Sequence, residues 1–168
     1  GSDRDLFFAH DVLPHPKINF QDSLENILYP EIIENFQNFP ESNTVLTYAN
    51  GRNAQETHAL DEFLFQVFGK NYTYIRVGGE DNDLLPVRVF SRLSKKEFLK
   101  HLANCSFFCT YFGQSLMEAV YLKKKTLIYS ISEYHTELGK FFSKNTGLVF
   151  IGSTTRSFNN VTIDKIKA

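Results

Sequence analysis

From Thr44 onward, short β-branched and aromatic runs alternate with segments whose apolar residues recur at helical spacing. This alternation constrains the fold more than any other feature. Strands separated by helices must cross over and pair in parallel, which builds an α/β sheet covered on both faces. Six strands are expected, at 44–49, 72–77, 87–90, 107–111, 126–129 and 148–151. The intervening helices are patterned as clearly. Leu60, Phe63, Leu64, Val67 and Phe68 form one apolar stripe closed by Gly69, and Ser94 with Glu97 reads as a capping box ahead of Phe98, Leu99 and Leu102. Ser115 with Glu118 repeats that box ahead of a third helix, and a fourth is expected to carry Tyr134, Leu138, Phe141 and Phe142 inward, ending near Gly147.

A single doubly wound, Rossmann-like parallel sheet is therefore expected over residues 43–168. The preceding residues 1–42 read as a linker or packing arm, stiffened by Leu13-Pro14-His15-Pro16. The 168 residues, 42% of them hydrophobic, suffice for one domain with a proper core. Gly1-Ser2 reads as an expression scar, and both ends read as cut from a longer protein. Eighteen Lys and Arg against nineteen Asp and Glu exclude a general attraction to nucleic acid or to an anionic membrane. No apolar run approaches the roughly 20 residues of a spanning helix. Cys105 and Cys109 have neither a disulfide framework nor zinc-site spacing, so a reducing, cytoplasmic setting without structural metal is expected.

In an open parallel sheet, ligands bind beyond the carboxyl ends of the strands, where helix N-termini present backbone N–H groups. Two loops stand out there. Asn50-Gly51-Arg52-Asn53, after the first strand, suits a phosphate, or is a plain βα turn. After the fourth strand comes Tyr111-Phe112-Gly113-Gln114-Ser115-Leu116-Met117-Glu118-Ala119. Gly113 admits close backbone approach, Ser115 offers a hydroxyl, and Glu118 could accept hydrogen bonds from a ribose diol or merely complete the capping box. Three other features have blander readings. Asp81-Asn82-Asp83 is read as a solvated loop rather than a metal site, both cysteines as core, and Lys123-Lys124-Lys125 as a solvated helix end.

The Ala103–Ser106 lead-in, the apolar strand, Gly-x-Ser-x-x-Glu-Ala, the basic Leu122–Lys125 turn and the next strand resemble the C-terminal half of GT-B glycosyltransferases. They resemble in particular the family-28 branch containing the lipid II-forming GlcNAc transferase, whose core runs Ser-Gly-x-x-Thr-x-x-Glu-Ala followed by Gly-Lys-Pro. The resemblance spans Thr44 to Gly152. It implies a domain that binds the UDP-sugar donor of a transferase, with no obligatory metal and with the catalytic base on an acceptor-binding domain or subunit outside this chain. Membrane association would come through that other half.

The resemblance also implies roles. Glu118 would hold the ribose, while Gly113, Gln114 and Ser115 would face the diphosphate. The segment Phe90-Ser91-Arg92-Leu93 would hold uracil through its main chain. Gly51, Arg52 and Asn53 would face the donor phosphates or sugar, and Glu133, His135 or Glu137 would stand where the family reads sugar hydroxyls. The departures are a single glycine, Gly51, where the family shows two, and the bulky Tyr111-Phe112 before the ribose loop, suited to narrowing the pocket or stacking on a base. Two alternatives remain: a UDP-sugar hydrolase or 2-epimerase of the same plan, and an interaction module that keeps the fold without the ligand.

Overall fold

The structure, a computed structural model, describes residues 41–167 apart from 83, 84, 147, 156 and 160–162. The expected arm over residues 1–42 lies almost wholly outside the described residues. Six strands form one sheet: β1 (Thr44–Tyr48), β2 (Thr73–Val77), β3 (Val87–Phe90), β4 (Phe107–Thr110), β5 (Lys125–Ser130) and β6 (Val149–Ser153). Five helices accompany them: α1 (Ala54–Phe68), α2 (Lys95–Asn104), α3 (Gln114–Tyr121), α4 (Glu133–Thr146) and α5 (Ile163–Lys167). All strand pairs are parallel and the order is β3-β2-β1-β4-β5-β6. The chain thus winds outward from β1 in one direction and then, from β4, in the other. That reversal places a switch point between the carboxyl ends of β1 and β4.

Alternation along the central strands divides the core into two layers, because successive side chains leave opposite faces of a strand. Leu46, Phe108 and Ile128 pack with Phe98, Leu99 and Leu102 of α2, Leu116 and Met117 of α3 and Leu138 of α4. Val45, Phe107, Cys109, Leu127 and Tyr129 pack on the other face with Leu60, Leu64 and Phe68 of α1 and Ile166 of α5. Both cysteines are buried thiols, and burial pushes Cys105 up to about 12. Burying such residues at roughly 1.5–3 kcal/mol per large apolar side chain is what holds the layers.

Three local expectations are corrected. Tyr134 does not point inward: it is the exposed large aromatic of α4, while its neighbour His135 is buried. The Lys123–Lys125 turn is not simply a solvated helix end. Lys123 adopts φ 57, and the buried Lys124 ammonium donates to the carbonyls of Ala103 and Cys105, capping the C-terminus of α2, with Glu41 at 3.2 Å. Ser115 and Glu118 form no capping box, as described next.

Candidate functional site

Two helices begin at the switch point, and their N-termini differ. The start of α1 is filled by protein groups. Asn53 accepts from Glu56 N–H at 2.8 Å, the Glu56 carboxylate accepts from Asn53 N–H, and Glu80 accepts from Ala54 N–H at 3.0 Å. Asn53 and Glu56 make a full capping box, so of the two readings of Asn50–Asn53 the plain βα turn fits the geometry. Three acceptors, two of them carboxylates, occupy the N–H groups an anion would need. The turn that carries Glu80 is tightly held. Gly78 and Gly79 both sit at φ 82, and a Cβ on Gly79 would stand 2.8 Å from the Ala49 carbonyl.

The start of α3 is different. Its cap residue, Gly113, is extended and makes no side-chain capping bond. Ser115 lies inside the first turn, with its hydroxyl 2.7 Å from that of Thr110, the last residue of β4. Glu118, one turn on, does not reach back to the cap. Its buried carboxylate engages the Lys95 ammonium through both oxygens, at 2.9 and 3.1 Å. The Ser-x-x-Glu pattern is therefore present without the capping geometry it usually marks.

A cleft of about 190 Å³ opens between the N-terminal ends of α2 and α3. Leu93, Gly113, Gln114, Ser115 and Glu118 line it, so five of the residues expected from sequence converge there. Tyr48, Val77 and Phe98 add an apolar wall, and Lys95 is the one cation in the lining among the described residues. None of these four was foreseen. Lys95 did leave a signal, since Lys95-Lys96 puts two cations in the first turn of α2, where the helix dipole disfavours them.

The other expected residues are distributed around this cleft. Phe90 lies in an adjoining groove with Arg88, Leu93 and His101, and the Arg88 guanidinium covers its ring at 4.7 Å. Arg52 lies over the Tyr111 ring at 5.7 Å and pairs with Glu56 at 3.3 Å. Its Nε is buried without a hydrogen-bond partner. His135 stands edge-on to the same Tyr111 ring, with Nδ1 2.7 Å from the Ser132 hydroxyl. Burial, and then the Arg52 charge, hold its pKa below the ordinary imidazole value. Gly51 is the left-handed turn residue after β1, at φ 79. Glu133 is exposed in the first turn of α4, and Glu137 lines a separate groove with Tyr134, Lys140 and Phe141. Neither glutamate lines the cleft.

Tyr111 and Phe112 are core residues. Phe112 is sealed in the α2–α3 layer, and Tyr111 packs against Tyr48, Tyr129 and His135. Tyr111 floors the cleft, and neither ring stands out to receive a base. Asp81 and Asn82 extend from the Gly78-Gly79 turn, where Asn82 donates to Asp61 and Thr57; Asp83 lies outside the described residues. Among the described residues, no group of three or more His, Cys, Asp or Glu is placed to hold a metal, and no helix is long and apolar enough to cross a membrane.

No family model matches the chain, and no curated protein sequence matches it. Among solved structures it is similar to Arabidopsis thaliana UGT89C1 complexed with UDP, at 17% identity and a TM-score of 0.50. The match covers 73% of this chain and 33% of that one, so the chain spans about a third of its length. The likeness is one of fold, that of a single all-parallel, Rossmann-like α/β sheet.

Proposed function

We propose that this chain is the donor-binding half of a glycosyltransferase that takes its sugar from a UDP-linked donor. The observation that carries the reading is one juxtaposition: in a cleft at the switch point, the N-terminus of α3, with no side-chain cap, and the buried Glu118 carboxylate one turn into the same helix line the wall together. A nucleotide needs both. Its phosphates take backbone N–H groups at a positive helix end, and its ribose diol donates to a carboxylate. Because α1 is already capped by Asn53, Glu56 and Glu80, the diphosphate belongs at α3, over Gly113, Gln114 and Ser115. The apolar wall of Val77, Leu93 and Phe98 would take the uracil, with the Phe90–Leu93 main chain at its edge. The similarity to a UDP-bound structure supports this choice of nucleotide.

In this reading Arg52 and His135 flank the sugar end of the donor, and the leaving diphosphate is stabilised by fixed N–H dipoles without a required metal. The base that deprotonates the acceptor comes from an acceptor-binding domain or subunit outside this chain, through which any membrane contact would be made. The family-28 resemblance of the 93–129 segment is the finer form of the proposal, and the two buried thiols support a reducing, cytoplasmic setting.

Calorimetric titration with UDP and with UDP-GlcNAc tests the reading. Wild type is expected to bind both, and Glu118→Ala to lose at least about tenfold in affinity, the scale of a charge-assisted hydrogen bond. Wild type that binds neither would favour an interaction module that keeps the fold alone.

A further inference from the structure

Lys95 lines the donor cleft, and no role above uses it. Its ammonium lies against both oxygens of Glu118, yet the two partners differ sharply in exposure: the Lys95 side chain is 42% exposed and that of Glu118 3%. The carboxylate is fixed in the cleft wall, and the cation reaches it from solvent on a flexible four-carbon stem. A buried carboxylate needs compensation, because an uncompensated buried charge is strongly destabilising. A ribose diol arriving at Glu118 competes for the same two oxygens.

Resting on the UDP reading, we propose that Lys95 is an exchangeable counter-ion: it closes Glu118 in the empty cleft and transfers to the phosphates when the ribose diol takes its place. Lys95 and Glu118 are the charged groups of the cleft lining among the described residues, so with Glu118 committed to a diol the lysine's cation is left for an anion. The anion it meets is the nucleotide's own diphosphate, held at the start of α3, one helical turn before Glu118 and in the lining of the same cleft. Two first-turn lysines at α2, Lys95 and Lys96, add to the positive end of that helix and so favour an anion there. The consequence is selectivity. A nucleoside without phosphates displaces Lys95 and gives it nothing in return, whereas a nucleoside diphosphate restores its charge partner. The site thereby discriminates by charge as well as by base.

The experiment compares uridine with UDP by calorimetry on wild type, Lys95→Met and Lys95→Arg, with thermal melts confirming that each variant is folded. Wild type is expected to prefer UDP. Lys95→Met should weaken UDP by about tenfold while leaving uridine unchanged or slightly tighter, so that the UDP-to-uridine preference falls by that factor. Lys95→Arg should restore most of the preference. The UDP affinity of wild type should fall more steeply with salt than that of Lys95→Met. Equal loss of uridine and UDP in Lys95→Met, or an unchanged preference, overturns the proposal while leaving UDP recognition standing. A wild type that binds neither ligand overturns both.

Discussion

At the scale of single residues, the most demanding group in the molecule is Arg76. It sits in the middle of β2 with no exposed surface, its Nε 3.1 and 3.2 Å from the two oxygens of Asp61 and its Nη1 donating to the Gly78 carbonyl at 2.7 Å. Asp61 projects from α1 and also accepts from Asn82, so one guanidinium ties β2, α1 and the turn after β2 together. Burial raises the Asp61 carboxyl above its usual range against the pull of Arg76, which means that the pair is costly as well as cohesive. Removing one partner strands the other. Arg76→Leu is therefore expected to cost about 3–5 kcal/mol in urea unfolding. The double variant Arg76→Leu with Asp61→Leu should recover much of that, because no charge is then left buried. A loss under 1 kcal/mol in the single variant would show the pair to be solvated in solution. Little of this is legible in the sequence. Arg76 reads as one more alternating position of Thr73-Tyr74-Ile75-Arg76-Val77, and its partner lies 15 residues away on a helix.

At the scale of elements, legibility is high where the signal is local and periodic, and low where it depends on where a chain end meets a neighbour. The six strands fall within a residue or two of their expected positions, because runs such as Val45-Leu46 and Phe107-Phe108 are buried on both sides and leave no polar register to compete. Helix ends are harder. Ser94 caps α2, with Glu97 N–H donating to it at 3.2 Å, which is half of the capping box its motif predicts. The equally good Ser115-x-x-Glu118 motif fails, because Thr110 claims the serine and Lys95 the glutamate, both contacts set by tertiary structure. Conversely, Asn53-x-x-Glu56 is a true box at a place where a glycine-containing turn suggested a ligand. The two roles separate experimentally. Asn53→Ala is expected to lower stability by about 1 kcal/mol, as loss of an N-cap does, and Asn53→Asp to keep it. UDP affinity should be the same in both. A tenfold loss of UDP binding in Asn53→Ala at unchanged stability would return this residue to the ligand.

At the scale of the molecule, the order β3-β2-β1-β4-β5-β6 places a crevice at the carboxyl ends of β1 and β4, and the groups that line it bear on the proposed division of labour. Its lining includes one carboxylate, bound by a lysine, and no histidine among the described residues. Transfer of a sugar needs a base within hydrogen-bond reach of the acceptor hydroxyl, and the proposed reading leaves that role to another domain: His135, at the sugar end, is buried beside Tyr111 with Nδ1 2.7 Å from the Ser132 hydroxyl. On the proposed reading the crevice recognises a nucleotide, and a ligand that binds only the folded chain stabilises it by mass action. At a hundredfold excess over the dissociation constant, UDP should add about 2.7 kcal/mol. For a chain of this size that is a rise of about 5–10 °C in melting temperature, a rise that Glu118→Gln should largely abolish. Incubation with UDP-GlcNAc and a broad panel of acceptors should release UDP no faster than buffer does. A melting shift without turnover would support the proposal that this chain recognises the nucleotide and that the acceptor chemistry lies elsewhere. Turnover by the chain alone would require a base within it and overturn that division.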